Sequence, residues 1–147
     1  QQMVARAAQS LGGSIAGNSI AIFGLAFKPG TNDVRTSLSI RIIQQLLDLG
    51  ANISAHDPIA IEDARQIMPH LRYCDTEIET VSGADLLMIL TDWPQYADLD
   101  WSALGNAMRQ KCIVDGRNLL DPGLVEHLGF RYSGVGHPII SDHRGSL

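Results

Sequence analysis

The chain has 147 residues, 45% hydrophobic and 18% charged, with a formal net charge of −5, a length that fits one domain burying roughly 68–70% of the surface its unfolded chain exposes. Net negative charge argues against a general role on nucleic acid or at a membrane surface, because phosphate polymers need a basic field, yet it leaves room for a local basic pocket that takes one small anion. Cys74 and Cys112 are isolated, with no Cys-x-x-Cys spacing and no secretory leader, which points to a reducing, cytoplasmic setting, and no apolar run is long enough to cross a bilayer.

Met3 to Leu11 reads as a helix stopped by Gly12-Gly13, and nothing before Met3 supplies a cap, so residues 1–13 are expected to be the end of a preceding, interdomain helix of something larger, a disordered or tagged start being the alternative. The apolar run Ile20 to Leu25 predicts a strand covered on both faces, after which Ile42, Ile43, Leu46 and Leu47 fall at helical spacing. Ser37 is a suitable N-cap for that helix, which runs to about Leu49, and Gly50 sits where the C′ glycine belongs. The connection from Ala26 to Thr36 exceeds the ~2–6 residues usual in such units, a sign of a functional loop. Ala51 to His56 reads as a second strand closed by Asp57-Pro58, with a short helix over Ile59 to Met68.

Further on, Leu71 to Cys74 fits a short edge strand and Thr76 to Val81 a helical turn or two, while Asp85 to Thr91 has the continuous apolar character of a parallel core strand. Asp92 to Tyr96 follows as a polar-aromatic loop. Trp101 to Arg109 predicts a helix, Cys112 to Asp115 a fifth strand, Gly116-Arg117-Asn118 the loop beyond it, and Phe130 to Ser133 a last strand. Residues 139–147 are expected to form a flexible tail. Alternation of strands and helices predicts an α/β, Rossmann-like, doubly wound three-layer sandwich with a mainly parallel sheet of five or six strands, over residues 14–138.

Ligands of such folds collect outside the carboxyl ends of the strands, which directs Lys28, Arg35, Trp93 and Arg117 towards one crevice. Lys28 and Arg35 flank a glycine-containing loop that leads to a helix amino terminus, where free N–H groups favour an anion, and Arg117 offers a planar fork suited to phosphate. Plainer alternatives stand beside these. Arg35 pairs with Asp33 and only staples the loop; Phe27, Trp93 and Tyr96 cap the core instead of stacking on a base or sugar; Asp57 shapes a turn before proline instead of binding a ribose, there being no Gly-x-Gly-x-x-Gly upstream. The five histidines lack metal-ligand spacing and neither cysteine has an evident histidine or acid partner, so the residues predict no metal site and no catalytic residue of the chain's own.

From Gly24 to Ser37, and again at Asp57-Pro58, Ala84-Asp85, Leu90-Thr91-Asp92-Trp93 and Asp115-Gly116-Arg117-Asn118, the sequence resembles the carboxyl-terminal domain of the UDP-glucose/GDP-mannose dehydrogenase family, over about Ser14 to Gly136. The resemblance implies the UDP-sugar-binding domain of an NAD-dependent enzyme that oxidises the C6 alcohol of a nucleotide sugar to a carboxylate in two hydride transfers, with its cysteine nucleophile in a segment that has no counterpart here. Phe27 and Lys28 match positions that contact the nucleotide sugar. Arg117 matches an arginine that contacts it from the fifth-strand loop, and Arg35 matches one that reaches an NAD held mainly by the amino-terminal domain.

Asp115-Gly116-Arg117-Asn118 leans towards the UDP-glucose branch, whereas His137 stands where many relatives have arginine. The partners so implied are a UDP-sugar, the amino-terminal and central domains of a full-length cytoplasmic enzyme, and a second copy of that enzyme in a homodimer. The chain alone is expected to bind without turning over. A non-catalytic assembly module of the same fold is the alternative.

Overall fold

The structure, a computed structural model, describes residues 2–26, 28–35 and 37–135. Phe27, His137 and the tail expected over 139–147 lie outside the described residues. Thirteen elements follow in the order α1 (Gln2–Ser10), β1 (Ser19–Phe23), α2 (Leu38–Asp48), β2 (Asn52–His56), α3 (Ile61–Ile67), β3 (Arg72–Tyr73), α4 (Glu77–Val81), β4 (Leu86–Ile89), α5 (Pro94–Ala97), α6 (Trp101–Ala107), β5 (Cys112–Asp115), α7 (Pro122–His127) and β6 (Arg131–Gly134). The six strands form one sheet in the order β3-β2-β1-β4-β5-β6, and every pairing is parallel. The predicted α/β doubly wound fold is the fold observed, with a sheet parallel throughout.

Side-chain alternation along the strands builds the three layers. Ile20 and Ile22 of β1, Leu86 and Met88 of β4, and Cys112 and Val114 of β5 face one core, which Met3 and Ala7 of α1 and Ile42, Ile43 and Leu46 of α2 complete. Ala21 and Phe23, Leu87 and Ile89, and Ile113 face the other, closed by Val81, Tyr96, Trp101, Leu104 and Val125 from α4 to α7. Since both faces are covered, the central strands read as unbroken apolar runs, and all four residues of β4 are buried.

The local signals for α2 act as read. Ser37 accepts a hydrogen bond from the Ser39 N–H at the N-cap, and Gly50, at φ 95°, takes the left-handed conformation just past the end. Two elements differ from expectation. Part of the presumed Asp92 to Tyr96 loop is the short α5, with Pro94 in its first turn. The segment before the last strand forms α7, where Asp121 accepts from the Gly123 N–H and Pro122 occupies the opening position.

The topology places the site. After β3 the chain crosses back over the sheet to start β4 on the other side of β1, so β1 and β4 are neighbours whose following loops diverge. That divergence leaves a crevice at the carboxyl edge, the switch point of a doubly wound fold.

Candidate functional site

Four loops meet above the carboxyl ends of β1, β2, β4 and β5. At their junction lies Asp57, 2% exposed. Its Oδ2 accepts from the Leu25 N–H at 2.8 Å, the Ala26 N–H at 3.2 Å and the Trp93 indole at 3.3 Å; its Oδ1 accepts from Ile59 and Ala60 at 3.0 and 2.9 Å. A carboxylate occupied by five protein donors has no lone pair left to recognise a ribose. Of the two readings of Asp57-Pro58, the turn is the one the geometry carries, and the turn is also a knot that ties three loops together.

Close approach at the same junction explains Gly24. Its φ is 104°, and a Cβ there would collide with the backbone and side chain of Thr91, so no other residue fits. Thr91 in turn donates its hydroxyl to the Ala26 carbonyl at 2.9 Å, and Ser37 donates to the Leu25 carbonyl at 2.8 Å. The start of the long loop is therefore bound to β2, β4 and the head of α2 before it reaches Lys28.

Asp115-Gly116-Arg117-Asn118 has an equally physical basis. Asp115, fully buried at the end of β5, accepts from the Arg117 N–H at 3.1 Å, the Leu120 N–H at 2.9 Å and the Tyr132 hydroxyl at 2.8 Å. Burial, followed by the charge of Asp115, pushes the Tyr132 phenol far up, so it stays protonated and keeps donating. Gly116 passes so close to β4 that a Cβ would sit 3.0 Å from the Ile89 carbonyl oxygen, and Asn118 takes a left-handed φ of 54°. The loop is thereby bent with the Arg117 side chain outermost, 37% exposed and 3.5 Å from the Asp92 carboxylate.

Between these loops lies a cleft of about 260 Å³. Ala26 lines it after β1, Leu90 after β4, Gly116 and Arg117 after β5, Ser37 to Ser39, Arg41 and Ile42 from the head of α2, and Met3 from α1. The floor is apolar and the charge is cationic, an arrangement that suits an anionic ligand with an apolar or aromatic portion. A larger hollow of about 440 Å³ opens at the opposite end of the sheet, lined by Ser19, Asn52, His70 and Arg72 near the strands' amino ends. The smaller cleft is the better candidate, since open α/β sheets bind at the carboxyl edge.

The residues singled out from sequence are distributed unevenly. Arg117 lines the cleft. Lys28 is exposed and, among the described residues, is not part of its wall. Arg35 points elsewhere, into a groove against α3 lined by Asn32, Asp63 and Gln66. It is 84% exposed and pairs with Asp33 at 3.3 Å, and these hydrogen bonds hold the Asp33 carboxyl below its usual range. Trp93 is half-buried over the second core and spends its indole N–H on Asp57. Tyr96 is wholly buried, stacked on Phe23 at 4.7 Å between centroids, with its hydroxyl 2.9 Å from His56 Nδ1. Burial pushes the His56 imidazole down, towards its neutral form.

Arg41 was not legible as a site residue from sequence. An arginine on the polar side of an amphipathic helix ordinarily reads as a solvated surface residue, and only the sheet order brings it to the same cleft as the β5 loop. Cys74 and Cys112 are buried free thiols, and burial pushes the Cys112 thiol up, which disfavours a nucleophilic thiolate. Among the described residues no cluster of three or more His, Cys, Asp and Glu side chains could hold a metal, and no helix is long and apolar enough to cross a membrane. Nor does the first turn suit a dinucleotide. Its close approach is to Thr91, and the acid at the end of β2 is already saturated.

A six-stranded parallel sheet in this order, with a cationic cleft at the switch point, defines a doubly wound domain of the nucleotide-binding class. Residues 21–122 match the model of the UDP-glucose/GDP-mannose dehydrogenase family, UDP binding domain, and the chain belongs to that family. It is 39% identical over 139 residues to UDP-glucose 6-dehydrogenase of Rickettsia prowazekii, covering 93% of this chain and 32% of that protein. Against the Rhizobium meliloti enzyme of the same name the identity is 39% over 127 residues, covering 86% and 29%. The chain thus spans about a third of the length of these curated relatives.

Solved structures agree. A UDP-glucose dehydrogenase from Pyrobaculum islandicum superposes with a TM-score of 0.73 at 29% identity, over 93% of this chain and 29% of its own. An NDP-N-acetyl-D-galactosaminuronic acid dehydrogenase from Methanosarcina mazei Go1 reaches 0.79 at 26% identity, over 97% and 29%.

Proposed function

We propose that the chain serves as the UDP-sugar-binding domain, residues 14–138, of an NAD-dependent nucleotide-sugar dehydrogenase that converts UDP-glucose to UDP-glucuronate, the C6 alcohol passing to a carboxylate in two hydride transfers. The observation that carries this reading is the cleft at the switch point, with Arg117 in its wall, inside the span that matches the family's UDP binding domain. In this reading the chain's own part is recognition. Arg117 forms charged hydrogen bonds to the nucleotide's phosphates, displacing its weak partner Asp92, while Asp115 and Asn118 hold the arginine outward. Phe27 and Lys28 complete the sugar-nucleotide contacts from the long loop.

The hydride acceptor is NAD, held mainly by an amino-terminal domain, with Arg35 turned towards it from the outer side of the loop. Residues 1–13 are then the end of an interdomain helix, and the full-length enzyme is a cytoplasmic homodimer whose catalytic cysteine lies in the central domain. The chain alone binds and does not turn over. Calorimetric titration of UDP and UDP-glucose tests the reading. Saturable binding is expected, weakened ten- to a hundredfold by Arg117→Ala, the loss of one charged contact worth roughly 1.5–3 kcal/mol. Binding that survives alanine at both Lys28 and Arg117 would contradict it.

A further inference from the structure

Arg41 differs from the arginines that form ion pairs. Arg35, Arg65, Arg109 and Arg117 each face a carboxylate. Among the described residues no carboxylate pairs with Arg41, which lines the same cleft as Arg117. Its position is also electrostatically adverse. It lies at the start of the 11-residue α2, whose first turn holds no acidic residue, and the amino end of a helix disfavours a positive side chain. Arg41 and Arg117 are the charged residues among the described lining of the cleft, and that lining contains no acid. Two arginines lining one cleft, the Arg41 charge unmatched by any acid of that lining, in a chain of net charge −5, break the local rules in the way binding sites do.

We propose that Arg41 is a second ligand-binding cation, and that it and Arg117 hold the pyrophosphate of a nucleotide between them. This rests on reading the cleft as the nucleotide site and adds a residue and a division of labour to it. The apolar side of the cleft, Leu38, Ile42 and Leu90, takes no part in neutralising charge and is left for the rest of the ligand. A UDP-sugar and a dinucleotide share the pyrophosphate, so the two are titrated separately.

The test uses the whole chain and four proteins, wild type, Arg41→Gln, Arg41→Lys and Arg117→Ala, with UDP and NAD as probes. Wild type is expected to bind UDP, Arg41→Gln to weaken it about tenfold, the lower end for a charged contact at an exposed site, and Arg41→Lys to recover most of the loss. Ligand-free Arg41→Gln should melt at or slightly above the wild-type temperature, since the glutamine removes an adverse charge from the helix start; a merely structural arginine would lower it. Unchanged UDP affinity in Arg41→Gln, with loss in Arg117→Ala, overturns the role of Arg41 and leaves the cleft reading intact. Binding of NAD but not UDP, sensitive to Arg41, upholds the cation pair and overturns the UDP reading. Binding of neither probe by wild type overturns both.

Discussion

Asp57 and Asp115 close β2 and β5 with buried carboxylates, and each makes its loop by accepting backbone N–H groups. An alanine at Asp57 strands several buried donors at once, each costing about 1–3 kcal/mol when unpaired, though water entering the gap relieves part of this. Asp57→Ala should therefore lose about 3–5 kcal/mol in urea denaturation, and Asp57→Asn, which keeps one acceptor oxygen, distinctly less. The turn at Asp57 is legible from Asp-Pro alone, because the proline ends the strand and the aspartate has near backbone donors. What the sequence does not carry is the reach of the same carboxylate to Leu25 and Trp93, more than thirty positions away in either direction. Arg35 and Arg41 show the same limit: both are exposed cations bracketing one helix start, and only the folded loop turns one towards α3 and the other into the cleft.

At the scale of elements, Ser37 joins helix to loop. Its hydroxyl oxygen accepts from Ser39 at 3.1 Å while the hydroxyl donates to the Leu25 carbonyl, so Ser37→Ala removes a cap and leaves a buried acceptor unpaired. A loss of about 1–2 kcal/mol is expected, seen as a lower urea midpoint at unchanged m-value. The strand-loop-helix opening was legible because its signals are local and agree: a β-branched run, a cap at Ser37, a glycine at Gly50. Helix α7 is not legible in the sequence, although Asp121-Pro122 marks its start, because its six residues include Pro122 and Gly123 and are too short to show a helical period. Its stability comes from Val125 packed into the second core, which is a tertiary fact.

For the whole molecule, alternation of elements foretells a parallel α/β sheet, but the order that puts β1 beside β4 is a property of long-range packing. One pin of that order is Asp85, just before β4. Its carboxylate accepts from the Ser19 N–H at the start of β1 and from Arg109 and Gln110 before β5. Those donors, Arg109 first, hold its pKa down at about 2, against 3.8 for the free side chain. A group whose folded pKa is depressed stabilises the fold above its unfolded pKa and stops doing so as pH falls through the folded value. Stability should therefore drop as pH falls from about 4 to 2, by about 1–2 kcal/mol from this group, the attraction being screened because Arg109 is 64% exposed. In Asp85→Asn that part of the acid dependence should be missing from pH-dependent urea curves.

The central claim, that the nucleotide sits at the carboxyl edge of the sheet, is tested most directly by mapping backbone amide NMR shifts of the whole chain during a UDP titration. Shifts confined to Leu25 through Lys28, to Leu38 through Ile42, and to Gly116 through Asn118 are the predicted result. Shifts gathered instead at Ser19, Asn52, His70 and Arg72, around the larger hollow at the opposite end, would contradict it.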